Sequence, residues 1–117
     1  FLLAGHDTTA FALSAALHFL AQHQDVQEKL RKEVMDVMGI TNYSNQKVED
    51  AQCPTIEQTK QMEYLLAVMK ETMRLYPSVP DLPLRTTSKD VVVDGYTIPA
   101  NTDVLLSIYT LHHGKRG

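Results

Sequence analysis

Ala4-Gly5-His6-Asp7-Thr8-Thr9 decides how the rest of this chain reads. It sits in a run from residue 1 to about 21 whose apolar side chains include Phe1, Leu2, Leu3, Phe11, Leu13, Leu17, Phe19 and Leu20. They fall on nearly every side of a helix, and such a helix is normally buried by neighbours all round. Glycine in its interior costs about 1 kcal/mol relative to alanine. An ionised carboxylate there costs far more unless it is paired or solvated. The hydroxyls of Thr8 and Thr9 can bond back to the preceding turn and bend or open it. Together these residues point to a helix that lets a ligand approach its backbone at Gly5, beside an acid and an alcohol. The alternative is a cap, with Asp7 or Thr8 beginning the helix and Phe1 to Ala4 forming a strand.

Moving outward, a second helix is predicted from about Asp25, whose carboxylate suits a helix N-terminus. Val26, Leu30, Val34 and Val37 form its apolar stripe, and Gly39 is its stop. Residues 40–54 read as loop. Thr55 followed by Gln58 fits a capping box for a short helix to Lys60. A stronger helix spans about Met62 to Leu75, with Leu65, Val68, Met69, Thr72 and Met73 facing inward, and Pro77 ends it. Val91 to Val93, Asp94-Gly95 and Tyr96 to Ile98 read as a hairpin. Asp103 to Leu111, rich in Val, Leu, Ile and Tyr, reads as a further strand. Helices first and short strands second give a mainly α fold with a small β portion, an α+β arrangement.

The composition agrees with a globular chain. It has 117 residues, 44% hydrophobic and 21% charged, with a net charge of −3. No basic block marks a nucleic-acid partner. The single cysteine, Cys53, excludes an internal disulfide and any multi-cysteine metal centre. The first apolar run is broken by His6 to Thr9 and falls short of the ~20 residues a bilayer span needs.

Glu71-Thr72-Met73-Arg74 adds a second cluster, since a spacing of i, i+3 sets Glu71 and Arg74 on one helix face. An exposed pair of this kind contributes only ~0.2–0.5 kcal/mol. With Leu75-Tyr76-Pro77 and Arg85 following, the order of motifs resembles a known family. Ala4-Gly5-His6-Asp7-Thr8-Thr9 is similar to the oxygen-activating helix of the cytochrome P-450 haem-thiolate monooxygenases. Glu71 to Pro77 is similar to that family's E-x-x-R helix and its exit. Arg85, the turn Asp94-Gly95-Tyr96-Thr97-Ile98-Pro99 and the segment ending at His112 keep the family's order, so the resemblance covers essentially the whole chain.

The resemblance implies a partial cytochrome P-450 fold, with residues 1–117 as an internal fragment of one catalytic domain. It implies haem (heme, iron protoporphyrin IX) as cofactor, with Ala4 and Gly5 close to the porphyrin. Asp7 and Thr8 match the acid–alcohol pair that delivers protons during oxygen activation, and a buried Asp7 would have a raised pKa. Glu71 and Arg74 match the family's buried structural ion pair, and Arg85 matches an arginine often aimed at a haem propionate. His6, Val79, Leu82 and Leu84 are implied substrate-side residues. The family's axial cysteine is expected beyond Gly117, since Cys53 lacks the surrounding pattern. His112 and His113, read as part of a strand, alternate faces and make no metal site, so no metal ligand is expected within this chain. The implied activity inserts one oxygen atom of dioxygen into a small organic substrate. Electrons would come from NADPH through NADPH-cytochrome P-450 reductase or a ferredoxin-type donor. The implied location is the endoplasmic reticulum membrane, with a cytoplasmic protein as the alternative. Two other functions stay open: a non-catalytic fragment unable to bind haem, and a family member that isomerises or dehydrates peroxides without external oxygen.

Overall fold

The computed structural model describes residues 2–41 and 53–114, with side chains from Ala4 onward. Helix α1 runs unbroken from Leu2 to Gln22. The helix therefore passes straight through Gly5, Asp7 and Thr8, and the cap alternative is excluded. Five alanines between residues 4 and 16 offset the glycine and the paired threonines in helix propensity. Thr8 Oγ1 donates back to the Ala4 carbonyl at 2.6 Å, which satisfies its hydroxyl without opening the helix.

Helix α2 spans Gln24–Met38 and ends at Gly39, whose φ of 68° is the left-handed stop that glycine accepts without a Cβ penalty. Ile40 N–H closes the end on the Met35 carbonyl at 2.9 Å. The start differs from expectation. His23 occupies the cap position with no side-chain bond, and Asp25 sits in the first turn, where it can act only on the helix dipole. Most of the expected 40–54 loop, residues 42–52, lies outside the described residues.

Helix α3 (Ile56–Gln61) carries the capping box. Gln58 N–H donates to Thr55 Oγ1 at 3.2 Å, and Thr55 N–H donates to Gln58 Oε1 at 2.9 Å. Helix α4 (Glu63–Leu75) follows directly, with Met62 as the junction and no side-chain cap of its own. Its first N–H groups are met from elsewhere: Glu33 of α2 accepts from Tyr64 N–H at 2.7 Å and from Leu65 N–H at 2.8 Å. Lys29 Nζ sits 4.2 Å from the centre of the Tyr64 ring and strengthens the same contact. A Glu33→Ala variant of the full-length protein should lose about 1–2 kcal/mol, the cost of a missing helix cap. Chemical denaturation would read it, and an unchanged midpoint would show that α4 is capped in another way.

Beyond α4 the chain forms two small antiparallel sheets. β2 (Val91–Val93) pairs with β3 (Tyr96–Ile98) across a two-residue turn, Val93 facing Tyr96. Asp94 (φ 48°) and Gly95 (φ 81°) are both left-handed, as a type I′ hairpin requires. β1 (Arg85–Thr86) pairs with β4 (Asp103–Val104).

The expected strand from Asp103 to Leu111 is corrected here. Only its first two residues pair, because β1 offers no longer partner. Ser107 then bridges to Asp81, and its side chain accepts from Thr110 N–H to start α5 (Ile108–His113). The chain thus ends its described part in a helix, not a strand. A Ser cap overrides the β preference of the surrounding Val, Leu, Ile and Tyr residues.

Little of this is enclosed. Among the described residues only Ala16 and Met62 are buried apolar side chains, and Thr72 is the one buried polar residue. Thr72 is satisfied by donating to the Val68 carbonyl at 2.9 Å. Leu17 remains 69% exposed and Leu13 52%. Met73, expected to face inward, is exposed too. Helices α1, α2 and α4 meet around an apolar groove of about 390 Å³ lined by residues such as Phe19, Val26, Val68 and Leu75. The apolar faces that the sequence assigns to a core are present but, among the described residues, have no opposing layer.

Candidate functional site

The first turns of α1 carry the site. Ala4 and Gly5 are exposed, and a Cβ built on Gly5 would meet no other atom within 4 Å. Among the described residues nothing lies against this surface at Gly5. Asp7 and His6 stand beside it with Oδ1 and Nδ1 2.9 Å apart, an ion pair whenever the imidazole is protonated. Asp7 is 70% exposed, so the expected burial of its carboxyl does not occur within this chain. Thr8 is half-buried, its hydroxyl directed along the helix to Ala4. A hydroxyl donating its hydrogen to a carbonyl keeps its oxygen as an acceptor. It can take up a hydrogen bond on one side while giving one on the other.

The segment after α4 approaches this turn. Ser78 Oγ donates to the Thr8 carbonyl at 3.0 Å, joining residues 70 positions apart. Val79 and Leu84 are exposed and Leu82 is half-buried. Leu82 N–H bonds to the Leu106 carbonyl at 2.9 Å and Tyr109 N–H to the Pro80 carbonyl at 3.1 Å, which ties the segment to the start of α5. Arg85 is exposed on β1, and no carboxylate pairs with it among the described residues.

The second cluster lies at the far end of α4. Arg74 grips Glu71 with two parallel bonds, Nε to Oε2 at 2.8 Å and Nη2 to Oε1 at 2.7 Å. The side chains are 42% and 58% exposed, so the burial expected for this pair is not found in this chain. Arg74 Nη1 also donates to the His112 carbonyl at 3.2 Å, while His112 Nδ1 lies 3.3 Å from the Arg74 carbonyl. This reciprocal clasp joins α4 to α5. It corrects the extended reading of the two histidines: both are helical, and His113 Nδ1 faces the Tyr109 carbonyl at 2.9 Å. Among the described residues no group of three His, Cys, Asp or Glu side chains gathers as a metal site.

The fork from Arg74 holds the Glu71 carboxyl below its usual value near 4.5, chiefly through the hydrogen bond, and the same bond raises Arg74. A carboxyl depressed in the folded state contributes fully above its unfolded pKa, and the contribution is lost as pH falls through the lowered value. Denaturation of the full-length protein and of Glu71→Gln at several pH values should therefore differ by a constant amount above about pH 4.5. The difference should shrink below that. A difference that stays the same across the whole acid range would show that the Glu71–Arg74 fork does not shift the carboxyl.

The cytochrome P-450 family profile matches residues 1–116. This chain belongs to the cytochrome P-450 family. It is 42% identical to cytochrome P-450 97B1, chloroplastic, of Pisum sativum over 95% of the chain and 19% of that protein. It is 40% identical to cytochrome P-450 4e2 of Drosophila melanogaster over 99% of the chain and 20% of that protein. Human cytochrome P-450 3A5 is 41% identical over 99% of the chain and 21% of its own length. A zebrafish cytochrome P-450 structure with progesterone superposes with a TM-score of 0.76 at 27% identity, covering 95% of the chain and 24% of that structure. The mostly helical fold with two small sheets is a partial cytochrome P-450 fold. The chain spans about a fifth of the length of these curated relatives.

Cytochromes P-450 are haem-dependent oxidoreductases of the monooxygenase type, acting on a substrate and dioxygen with electrons from a redox partner. The bare surface at Ala4 and Gly5 leaves room for a flat ring, and Cys53 is exposed ahead of α3. Ser78, Glu33 and the Arg74–His112 clasp went unrecognised in the sequence. Each makes a side chain–backbone bond between segments at least 31 positions apart, which no local pattern announces.

Proposed function

We propose that this chain is an internal part of the catalytic domain of a haem-thiolate monooxygenase that inserts one oxygen atom into a small organic substrate. The carrying observation is the unbroken α1, which keeps Asp7 and Thr8 beside a helix surface bare at Ala4 and Gly5. Haem, held by a cysteine outside this chain, supplies oxygen activation when bound. Ala4 and Gly5 leave room for its approach. Thr8 holds a proton-relay position with its oxygen free to accept, and Asp7 supplies the acid behind it. Arg85, with no carboxylate partner among the described residues, is available to a haem propionate. His6, Val79, Leu82 and Leu84 line the substrate side. Glu71 and Arg74 brace α4 against α5 and become enclosed when the rest of the domain covers them.

NADPH is the electron source, through NADPH-cytochrome P-450 reductase or a ferredoxin-type protein. Dependence of turnover on dioxygen tests the activity against peroxide isomerisation or dehydration, which needs no external oxygen. We propose the endoplasmic reticulum membrane as its location. No helix among the described residues is long and apolar enough to cross a membrane, so the attachment would use another segment. Fractionation of cells expressing the full-length protein should place it with microsomes. Recovery in the plastid or soluble fraction would overturn that location.

A further inference from the structure

We infer that Ser78 is a positioning residue, fixing the Thr8 turn of α1 in register with the Val79–Leu84 segment. This rests on the proton-relay and substrate-lining roles proposed above. A relay works only if the alcohol and the bound substrate keep a set separation, since small misplacements cost large factors in rate.

Among the described residues, α1 meets the chain leaving α4 through an apolar contact and a hydrogen bond. In the apolar contact the rings of Phe19 and Tyr76 meet edge to face with centroids 5.2 Å apart. The other is the Ser78 bond to the Thr8 carbonyl, eleven residues back along α1, a separation of about 16 Å. An aromatic contact resists separation but tolerates sliding and rotation. A hydrogen bond to a backbone carbonyl is directional and fixes both. Among the described residues it is the sole hydrogen bond from α1 to any residue beyond α2.

The surroundings of Ser78 make the pin stiff. Pro77 and Pro80 flank it and limit backbone freedom on both sides. Pro80 and Leu82 are tied by backbone bonds to Tyr109 and Leu106. A carbonyl oxygen has two lone pairs, so Ser78 can bond Thr8 without displacing the helix's own N–H partner. Through this bond, movement of the Val79–Leu84 segment is passed directly to the residue whose hydroxyl serves the relay.

The test uses the full-length haem-loaded protein with Ser78→Thr and Ser78→Val, two side chains of matched shape of which only threonine has the hydroxyl. Amide hydrogen exchange of the peptide Gly5–Leu13 should be near parental in Ser78→Thr. In Ser78→Val it should be roughly three- to tenfold faster, the consequence of losing one hydrogen bond. Peroxide released per NADPH oxidised should rise in the same order. Equal exchange in the two variants would overturn the inference. Thr8→Ala separates it from the reading beneath, because that variant keeps the carbonyl Ser78 binds. If Thr8→Ala releases no extra peroxide, the relay role falls, and the exchange result still decides whether Ser78 holds the turn.

Discussion

Thr8→Ala in the full-length protein is expected to lower product formed per NADPH by roughly tenfold or more, within the range by which a positioned proton donor acts. Oxygen consumption should continue, and the missing reducing equivalents should appear as peroxide. Folding is not the cause, because alanine is the better helix former by a few tenths of a kcal/mol. The one bond lost is the hydroxyl's return to the Ala4 carbonyl, which is a local bond within α1. The Ser78 contact survives, since it uses the Thr8 backbone. Thr8→Ser keeps the hydroxyl and should keep most of the coupling. Unchanged coupling in Thr8→Ala would remove Thr8 from the relay and leave Asp7 to act through water alone.

Arg74→Lys should be the most damaging conservative substitution in the chain. Lysine keeps the charge but cannot make the fork to Glu71 or reach the His112 carbonyl in the same geometry. α4 then loses its hydrogen-bonded tie to α5. The yield of haem-loaded full-length protein should fall by about tenfold, as a bidentate fork and a cross-element bond go together. Glu71→Gln should fall less, because its amide oxygen still accepts one of the two bonds. Normal haem loading in Arg74→Lys would show that charge alone suffices at this position.

How much of this was written in the sequence depends on the range of the interaction. The Asp94-Gly95 turn, the Thr55–Gln58 capping box and the Gly39 stop are each complete within four or five residues, and the structure has all three. The motif in α1 was legible because a glycine, an acid and two threonines in one turn of an apolar helix go against local preference. α5 was misread. Its residues are β-formers, and only the Ser107 cap and the tie to Pro80 turn them into a helix. The Glu71–Arg74 pair shares one helix face as its spacing implies, but its exposure depends on long-range packing, and among the described residues nothing encloses it.

The same distinction explains the site. Residue types fixed Asp7, Thr8, Glu71 and Arg74 as candidates. What brings segments together here is side chains meeting distant backbone: Glu33 on α4, Ser78 on α1, Arg74 on α5. A backbone acceptor has no residue identity, so sequence patterns do not mark its partner. The wide exposed apolar faces, Leu13, Leu17 and Leu66 among them, carry the opposite message. In α1 the apolar residues on nearly every side announce such a face, and among the described residues these side chains stay exposed.

The most direct measurement is the reduced, carbon-monoxide difference spectrum of the full-length protein, with the 117-residue chain as the blank. The account predicts a strongly red-shifted Soret band in the full-length protein and none in the chain alone, as thiolate ligation from outside this segment requires. A folded, haem-loaded full-length protein without that band would contradict it, and the monooxygenase reading would fall with the missing thiolate.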